Sequence, residues 1–304
     1  MPRVSIGVPV YNGENYLGEA LSSLLGQTFG DLEVIVSDNA STDGTETIVR
    51  EVEEGDRRVR YHRQPSNLGA AGNYNFTLAQ ATGDFFMWAA HDDLRDPGFV
   101  EQAVQTMDQQ PGASCVFSRS RRIAADGSPL QVMIRPDELM SPDPATRMRA
   151  TIGCRHPGVI IFGLIPTELL RRTSQHPDFP GGDRVLAVEL ALAGPFIELP
   201  DVLFLNRDHP NRYVRIKEQK DAGRKRLQEA WWDPGRVDRI VFPAWRRFRS
   251  YASAITRSSL SRADQRRCYS ALVAATTDKG FAIPRGLAKD LVVAGATAVR
   301  KVAS

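Results

Sequence analysis

Several short polar clusters in this chain have the residue types that handle charge on a small ligand. They are Tyr11-Asn12, Asp38-Asn39, His91-Asp92-Asp93 and Arg207-Asp208-His209, with Asp183 standing alone between the last two. Adjacent carboxylates on a loop repel each other unless a proton or a cation relieves them, so Asp92 and Asp93 form a candidate site for a hard ion, Mg²⁺ or Mn²⁺. Acidic residues also favour the first turn of a helix. Here Asp96, followed by Pro97, is the better cap, which leaves the pair without a structural task. The other clusters have bland accounts as well. Asp183 could be a general base or only a helix N-cap, Asp38 could meet a ligand or cap the turn before Thr45, and His209 ahead of Pro210 could be a surface turn. Tyr11 could simply pack a helix start, and His91 and His156 read as structural.

These clusters need elements to position them, and the hydrophobic periodicity supplies them. Residues 4–10, 32–37, 59–62 and 84–88 read as strands. Between and after them, apolar residues at helical spacing (Leu17, Ala20, Leu21 and Leu24; then 45–52; then Tyr74, Leu78 and Ala81; then Phe99, Val100, Ala103 and Met107) predict helices. Further on, strands are predicted at 113–118, 159–162, 196–198 and 202–207. Helices are predicted at 143–152, at 168–172 behind a Thr167 cap, and from Asp183 to a stop at Gly194-Pro195. Strands alternating with helices imply an α/β fold with a doubly wound, mostly parallel sheet. Ligands of such sheets bind beyond the carboxyl ends of the strands, where the loops after Val10, Ser37 and Trp88 lie.

A chain of 304 residues with 42% hydrophobic and 25% charged side chains is neither a disordered nor a fibrous protein. Its net charge of +3 conceals a split: residues 211–304 carry 21 basic and 8 acidic side chains, so the rest is acidic. Three scattered cysteines, Cys115, Cys154 and Cys268, read as free thiols in a reducing compartment. No apolar run approaches the roughly 20 residues of a membrane span, and the start reads directly as a strand, so a cytoplasmic location is expected. Neither a GxGxxG nor a P-loop is present.

The order of the loops resembles a known family. Val4 to Glu14 with Tyr16-Leu17, then Gln27-Thr28-Phe29, Glu33 to Thr45, Asn67-Leu68-Gly69, Asn73, Gly83-Asp84 and Asp92-Asp93 are similar, in order, to the opening of the family 2 inverting glycosyltransferases. A weaker likeness runs on through Gly182-Asp183 and Arg207-Asp208-His209-Pro210. The resemblance implies a GT-A fold over residues 1–215, with a nucleotide-binding half (1–112) and an acceptor half (113–215), followed by a basic helical extension over 216–304. It also implies a nucleotide-diphosphate sugar donor, UDP-sugar favoured. By the same resemblance Pro9 and Tyr11 hold the base, Asp38 accepts its hydrogen bonds and Asp92 reaches the ribose. Asn12, Glu14, Asn67, Gly69, Asn73 and Arg207 belong to the donor site. Asp93 binds the metal, His209 completes its shell, and Asp183 is the general base. The residue before that base, Glu in most of the family, is Gly182 here.

The residues agree with such chemistry. Displacement at an anomeric carbon needs a carboxylate to take the acceptor's proton and a cation against the departing diphosphate. No Lys or Arg lies between Gln64 and Leu94, so further compensating charge is expected from Arg207, Arg212 or Arg215. The expected acceptor is a glycan or lipid-linked glycan of a cell-surface polymer. The basic C-terminal helices, where arginines alternate with aromatics, either address an anionic membrane surface from the cytoplasmic side or pack back on the catalytic domain. No nucleic-acid motif accompanies them. Two alternatives are a catalytically silent nucleotide-sugar-binding protein and a sugar nucleotidyltransferase. The latter expects a glycine-rich basic loop where Pro9-Val10-Tyr11-Asn12 stands.

Overall fold

Seven consecutive buried residues form β1 (Val4–Val10) and seven more form β2 (Leu32–Asp38), as strands covered on both faces must. With β3 (Val59–Arg63) and β4 (Phe85–Trp88) they make a parallel sheet in the order β3-β2-β1-β4. The helices that return the chain are α1 (Leu17–Leu25), α2 (Thr45–Gly55), α3 (Gly69–Ala79) and α4 (Phe99–Gln109). This computed structural model describes residues 1–154, 158–210, 212, 231 and 242–277.

A second sheet holds β5 (Leu94–Arg95), β6 (Cys115–Ile123), β7 (Pro129–Met133) and β9 (Phe196–Arg207), in the order β5-β9-β6-β7. Between β7 and β9 run α5 (Pro144–Gly153), α6 (Gly158–Ile161), β8 (Ile165–Pro166), α7 (Thr167–Arg171) and α8 (Gly182–Ala193). The two-residue β8 closes the first sheet antiparallel to β4, and a Val116–Leu164 bridge joins it to the second. β6 pairs with β9 in parallel, so β9 carries Arg207 and then His209 back to the loop after β4.

Three expectations change. The strand predicted at 159–162 is the helical turn α6, with Phe162 N–H and Gly163 N–H closing onto Val159 and Ile160 carbonyls. Four apolar residues do not distinguish strand from helix, and the place beside β4 is taken by Ile165–Pro166. The strands predicted at 196–198 and 202–207 are one strand. Its register against β6 jumps from Leu199 to Val202, where Pro200 has no N–H for the ladder. Thr167 does not cap α7, since its hydroxyl donates to the Gly83 carbonyl. Asp143 does cap α5, accepting from Thr146 N–H at 2.8 Å.

Part of the basic extension is described. Helices α9 (Pro243–Arg257) and α10 (Arg262–Thr277) place Tyr251, Ala254, Ile255, Cys268 and Leu272 in a core shared with Phe179, Val185 and Val188. These helices therefore pack on α5, α8 and the loop before α8. Residues 213–230, 232–241 and 278–304 of the extension, like His156, lie outside the described residues. Among the described residues no helix is long and apolar enough to cross a membrane, and all three cysteines are free and buried.

Candidate active site

The loops after β1, β2 and β4 meet at the carboxyl end of the parallel sheet. Asn12 and Ala40 hold left-handed backbone, φ 51° and 62°, a conformation side chains adopt at a cost and one that concentrates at functional loops. Asn12 N–H donates to Ser41 Oγ at 2.9 Å and its Oδ1 accepts from Thr42 N–H; Glu14 accepts from Gly44 N–H at 2.8 Å. A Cβ on Gly13 would lie 2.9 Å from the His91 ring, so glycine lets the first loop touch the third.

Many residues expected at the donor serve these loops instead. Asn39 accepts from Leu68 N–H and donates to Asn67, whose Oδ1 also accepts from Gly69 N–H. Buried Asn73 donates to the Ser37 and Val10 carbonyls and accepts from the Ser37 hydroxyl, clamping the ends of β1 and β2. Asn73→Ala is expected to destabilise the fold by about 2–4 kcal/mol, because buried groups on two strands lose their partners. A lower urea midpoint at unchanged slope would show it. Pro9 is buried within β1 beside Ser37, so it offers a ligand no free face. Asp38 is 0% exposed: its carboxylate accepts from Ser41 N–H, Tyr61 Oη at 2.7 Å and Arg63 Nη1 at 2.8 Å. These three contacts make Asp38, the residue expected to meet the base, an anchor under the loop. Tyr11, 46% exposed, is the side chain of this group free to contact a ring.

The acidic pair divides its work. Asp92 Oδ2 lies 2.8 Å from His209 Nε2, and both residues are buried. Asp93 turns to β9: its carboxylate accepts from Asn206 Nδ2 at 2.9 Å and from Arg207 N–H at 2.8 Å. Asp92 is thus the carboxylate beside His209, while Asp93 ties the loop to β9. Burial alone lifts the Asp92 carboxyl, but His209, His91 and Arg212 hold it below the usual carboxylate range. Burial and the like charge of Asp92 drive Asp93 the other way, well above that range.

Arg207, expected to face the phosphates, is 1% exposed and fully engaged. It donates to the Asp92 and Ala125 carbonyls and, at 2.6 Å, to Glu19, and its guanidinium sits 4.8 Å from the Tyr16 ring, which also packs His209. Arg212 is the basic group whose charge acts on Asp92, Asp93 and Tyr74; Arg215 lies outside the described residues. The sequence reading missed Tyr16, Glu19, Tyr74 and Asn206, since nothing in their spacing marks them.

Asp183 enters from α8. The Tyr74 hydroxyl is lifted far above its ordinary range, by burial first and then by the charges of Asp92, Asp93 and Asp183. A Cβ on Gly182 would overlap the Pro177 carbonyl oxygen, which explains why glycine stands where Glu was expected. His176, in the same loop, packs its ring 4.7 Å from that of Tyr74, and burial pulls it down to about 4 although Asp183 opposes the shift. As pH falls through 6.5 the unfolded chain takes up this proton first, so stability is full above 6.5 and is lost towards 4, by on the order of 3 kcal/mol. Urea midpoints should fall more steeply over that window in the wild type than in His176→Phe.

Asp92 and His209 offer one carboxylate oxygen and one imidazole nitrogen, donors that suit Mn²⁺ or Mg²⁺. Among the described residues no cluster of three or more His, Cys, Asp or Glu side chains converges, so other ligands of such an ion come from elsewhere.

Comparison with known proteins identifies the family and the fold. An uncharacterized glycosyltransferase of Rickettsia bellii is 33% identical over 142 residues, 47% of this chain and 20% of that protein. Chondroitin synthase of Pasteurella multocida is 33% identical over 128 residues, 42% of this chain and 13% of that protein. The chain thus spans a fifth or less of the length of these relatives. Among solved structures, S. aureus TarS in complex with UDP matches with a TM-score of 0.64 and 18% identity over 91% of this chain and 72% of that one. The mannosyltransferase PcManGT from Pyrobaculum calidifontis, in complex with GDP-Man and Mn²⁺, matches with a TM-score of 0.54 and 20% identity over 96% and 86%. These likenesses show the shared GT-A fold. The Glycosyl transferase family 2 profile matches residues 5–158, half of the chain, and the chain belongs to that family.

Proposed function

We propose that this glycosyltransferase moves a sugar from a nucleotide-diphosphate donor, UDP-sugar favoured, to a hydroxyl of a glycan or lipid-linked glycan, with inversion at the anomeric carbon. The observation that carries the reading is the Asp92–His209 pair, 2.8 Å apart where the loop after β4 meets the end of β9, in a chain of the Glycosyl transferase family 2. The ligands of TarS and PcManGT support a nucleotide-sugar donor, and a chondroitin synthase among the relatives supports a polysaccharide product.

Each residue then has a chemical task. The exposed Tyr11 ring gives the base a flat contact at the mouth of the site. Asp38 keeps the loop beneath it in place through Ser41, and Arg63, held against Asp38, presents a charge at the rim. Asp92 and His209 would hold the divalent ion, with Asp93 fixing the loop behind them through Asn206 and the Arg207 backbone. When bound, that ion neutralises charge developing on the departing diphosphate. Arg212 adds a positive charge on the same side. Asp183 takes the proton of the attacking hydroxyl as the glycosidic bond breaks. The likeness of the strand-end loops to those of the family 2 inverting glycosyltransferases supports a displacement in one step, which inverts the centre.

Thermal unfolding with a panel of nucleotide-diphosphate sugars, with and without Mn²⁺, tests the donor. A ligand that binds the folded chain raises its Tm. A rise with UDP-sugars that grows with Mn²⁺ is expected; a panel without any shift would overturn the reading.

A further inference from the structure

The loop between α7 and α8, together with α9, encloses a groove of about 370 Å³, the size of a small ligand site. Phe179 and Val185 give it an apolar lining, while Arg246, Arg249, Arg257 and the Ser253 hydroxyl give it charge and donors. Arg246 stacks on Phe179, its guanidinium 4.5 Å from the ring centroid, and reaches Asp178 at 3.2 Å. Arg257 donates to Ser253 Oγ at 2.6 Å and to Glu189 at 2.7 Å. Arg249 is exposed and has no ion-pair partner among the described residues. Three guanidiniums against two carboxylates leave the groove positive, and α9 itself has no acidic residue.

The groove adjoins the proposed base. Pro177 lines it, and the Pro177 carbonyl rests on Gly182, the residue before Asp183. Arg247, on the same helix as the three arginines, donates to the Pro180 carbonyl and lies against Gly181. A planar guanidinium grips a phosphate or carboxylate through paired N–H donors, and a hydroxyl completes the polar contacts. Such a lining is more selective than a solvated basic surface, where neither the apolar floor nor its position beside a base has a purpose.

We propose that this groove binds an anionic sugar unit, one bearing a phosphate or carboxylate, of the acceptor glycan, and so steers the acceptor hydroxyl to Asp183. The proposal rests on the reading of Asp183 as the base. Arg249 supplies the uncommitted charge, and Arg246, held flat on Phe179, presents a second guanidinium to the groove.

Calorimetric titration of the full chain with tetragalacturonate, a glycerol-phosphate oligomer and neutral maltotetraose tests it, with UDP plus Mn²⁺ titrated in parallel. At least one anionic oligomer should bind about tenfold or more tightly than the neutral one at low salt and weaken as salt rises. Arg249→Glu, and more so Arg246→Glu with Arg249→Glu, should remove that preference by about fivefold or more while UDP binding stays unchanged. Equal binding of anionic and neutral oligomers overturns the proposal, and so does a preference that survives the double variant. Flotation with phosphatidylglycerol vesicles supplies a further arm: loss of vesicle binding in the double variant with oligomer binding unmoved makes the groove a lipid contact and overturns it too. Absence of UDP binding in the wild type would instead count against the donor reading, a separate failure.

Discussion

Asp92→Asn is expected to lower sugar transfer by about 10²–10³-fold or more and to remove its response to Mn²⁺. The carboxylate lies 2.8 Å from His209 and is held ionised by His209, His91 and Arg212 despite its burial. An amide would keep the shape but remove the charge that a divalent ion needs. His209→Ala should cause a loss of the same order, and the double variant should be little worse than either, because two ligands of one ion act as a unit. Asp93→Asn supplies the contrast. That carboxylate serves Asn206 and the Arg207 backbone, so its variant should lose some stability yet keep its Mn²⁺ dependence. Transfer measured by released nucleotide across a Mn²⁺ series decides between the two aspartates. Wild-type activity of Asp92→Asn in excess chelator would refute the assignment.

Asp183→Asn is expected to reduce kcat by about 10²–10⁴-fold, the usual contribution of a positioned base, with donor affinity nearly unchanged. The asparagine keeps its place at the start of α8, where Gly181 holds left-handed backbone and the Pro177 carbonyl covers Gly182. Donor binding followed by thermal shift, alongside transfer, separates loss of chemistry from loss of fold. If transfer persists at the wild-type rate while donor still binds, the proton goes elsewhere. The same experiment tests the alternative of a silent nucleotide-sugar-binding protein, which has no transfer for the substitution to reduce.

Local pattern made much of this fold legible. The strand from Val4 to Val10 and the stop of α8 at Gly194 agree with the sequence reading because buried parallel strands and helix ends have strong chemical signatures. The failures lie where context decides. Residues 159–162 are apolar and short enough to suit either element, and the pairing of β4 with Ile165–Pro166 settles which. The two-residue β5 inside an expected loop exists because Leu94 and Arg95 meet β9, a contact more than a hundred residues away in the chain.

For the site, the sequence by itself determined the chemistry available: carboxylates at 38, 92, 93 and 183, a histidine at 209 and loops at strand ends to carry them. Tertiary structure decided which of them are free to act. Asp38 is held by Tyr61 and Arg63, Arg207 by Glu19, Asn73 by the strands it clamps, Asp93 by β9 and Asp92 by His209. The basic C-terminal helices follow the same rule, since α9 and α10 bury their apolar side against α5 and α8 and keep arginines around a groove. The reason is that residue type sets what a side chain can bind, while burial and hydrogen-bond partners, supplied by segments distant in the chain, set whether its lone pairs and charge are already taken.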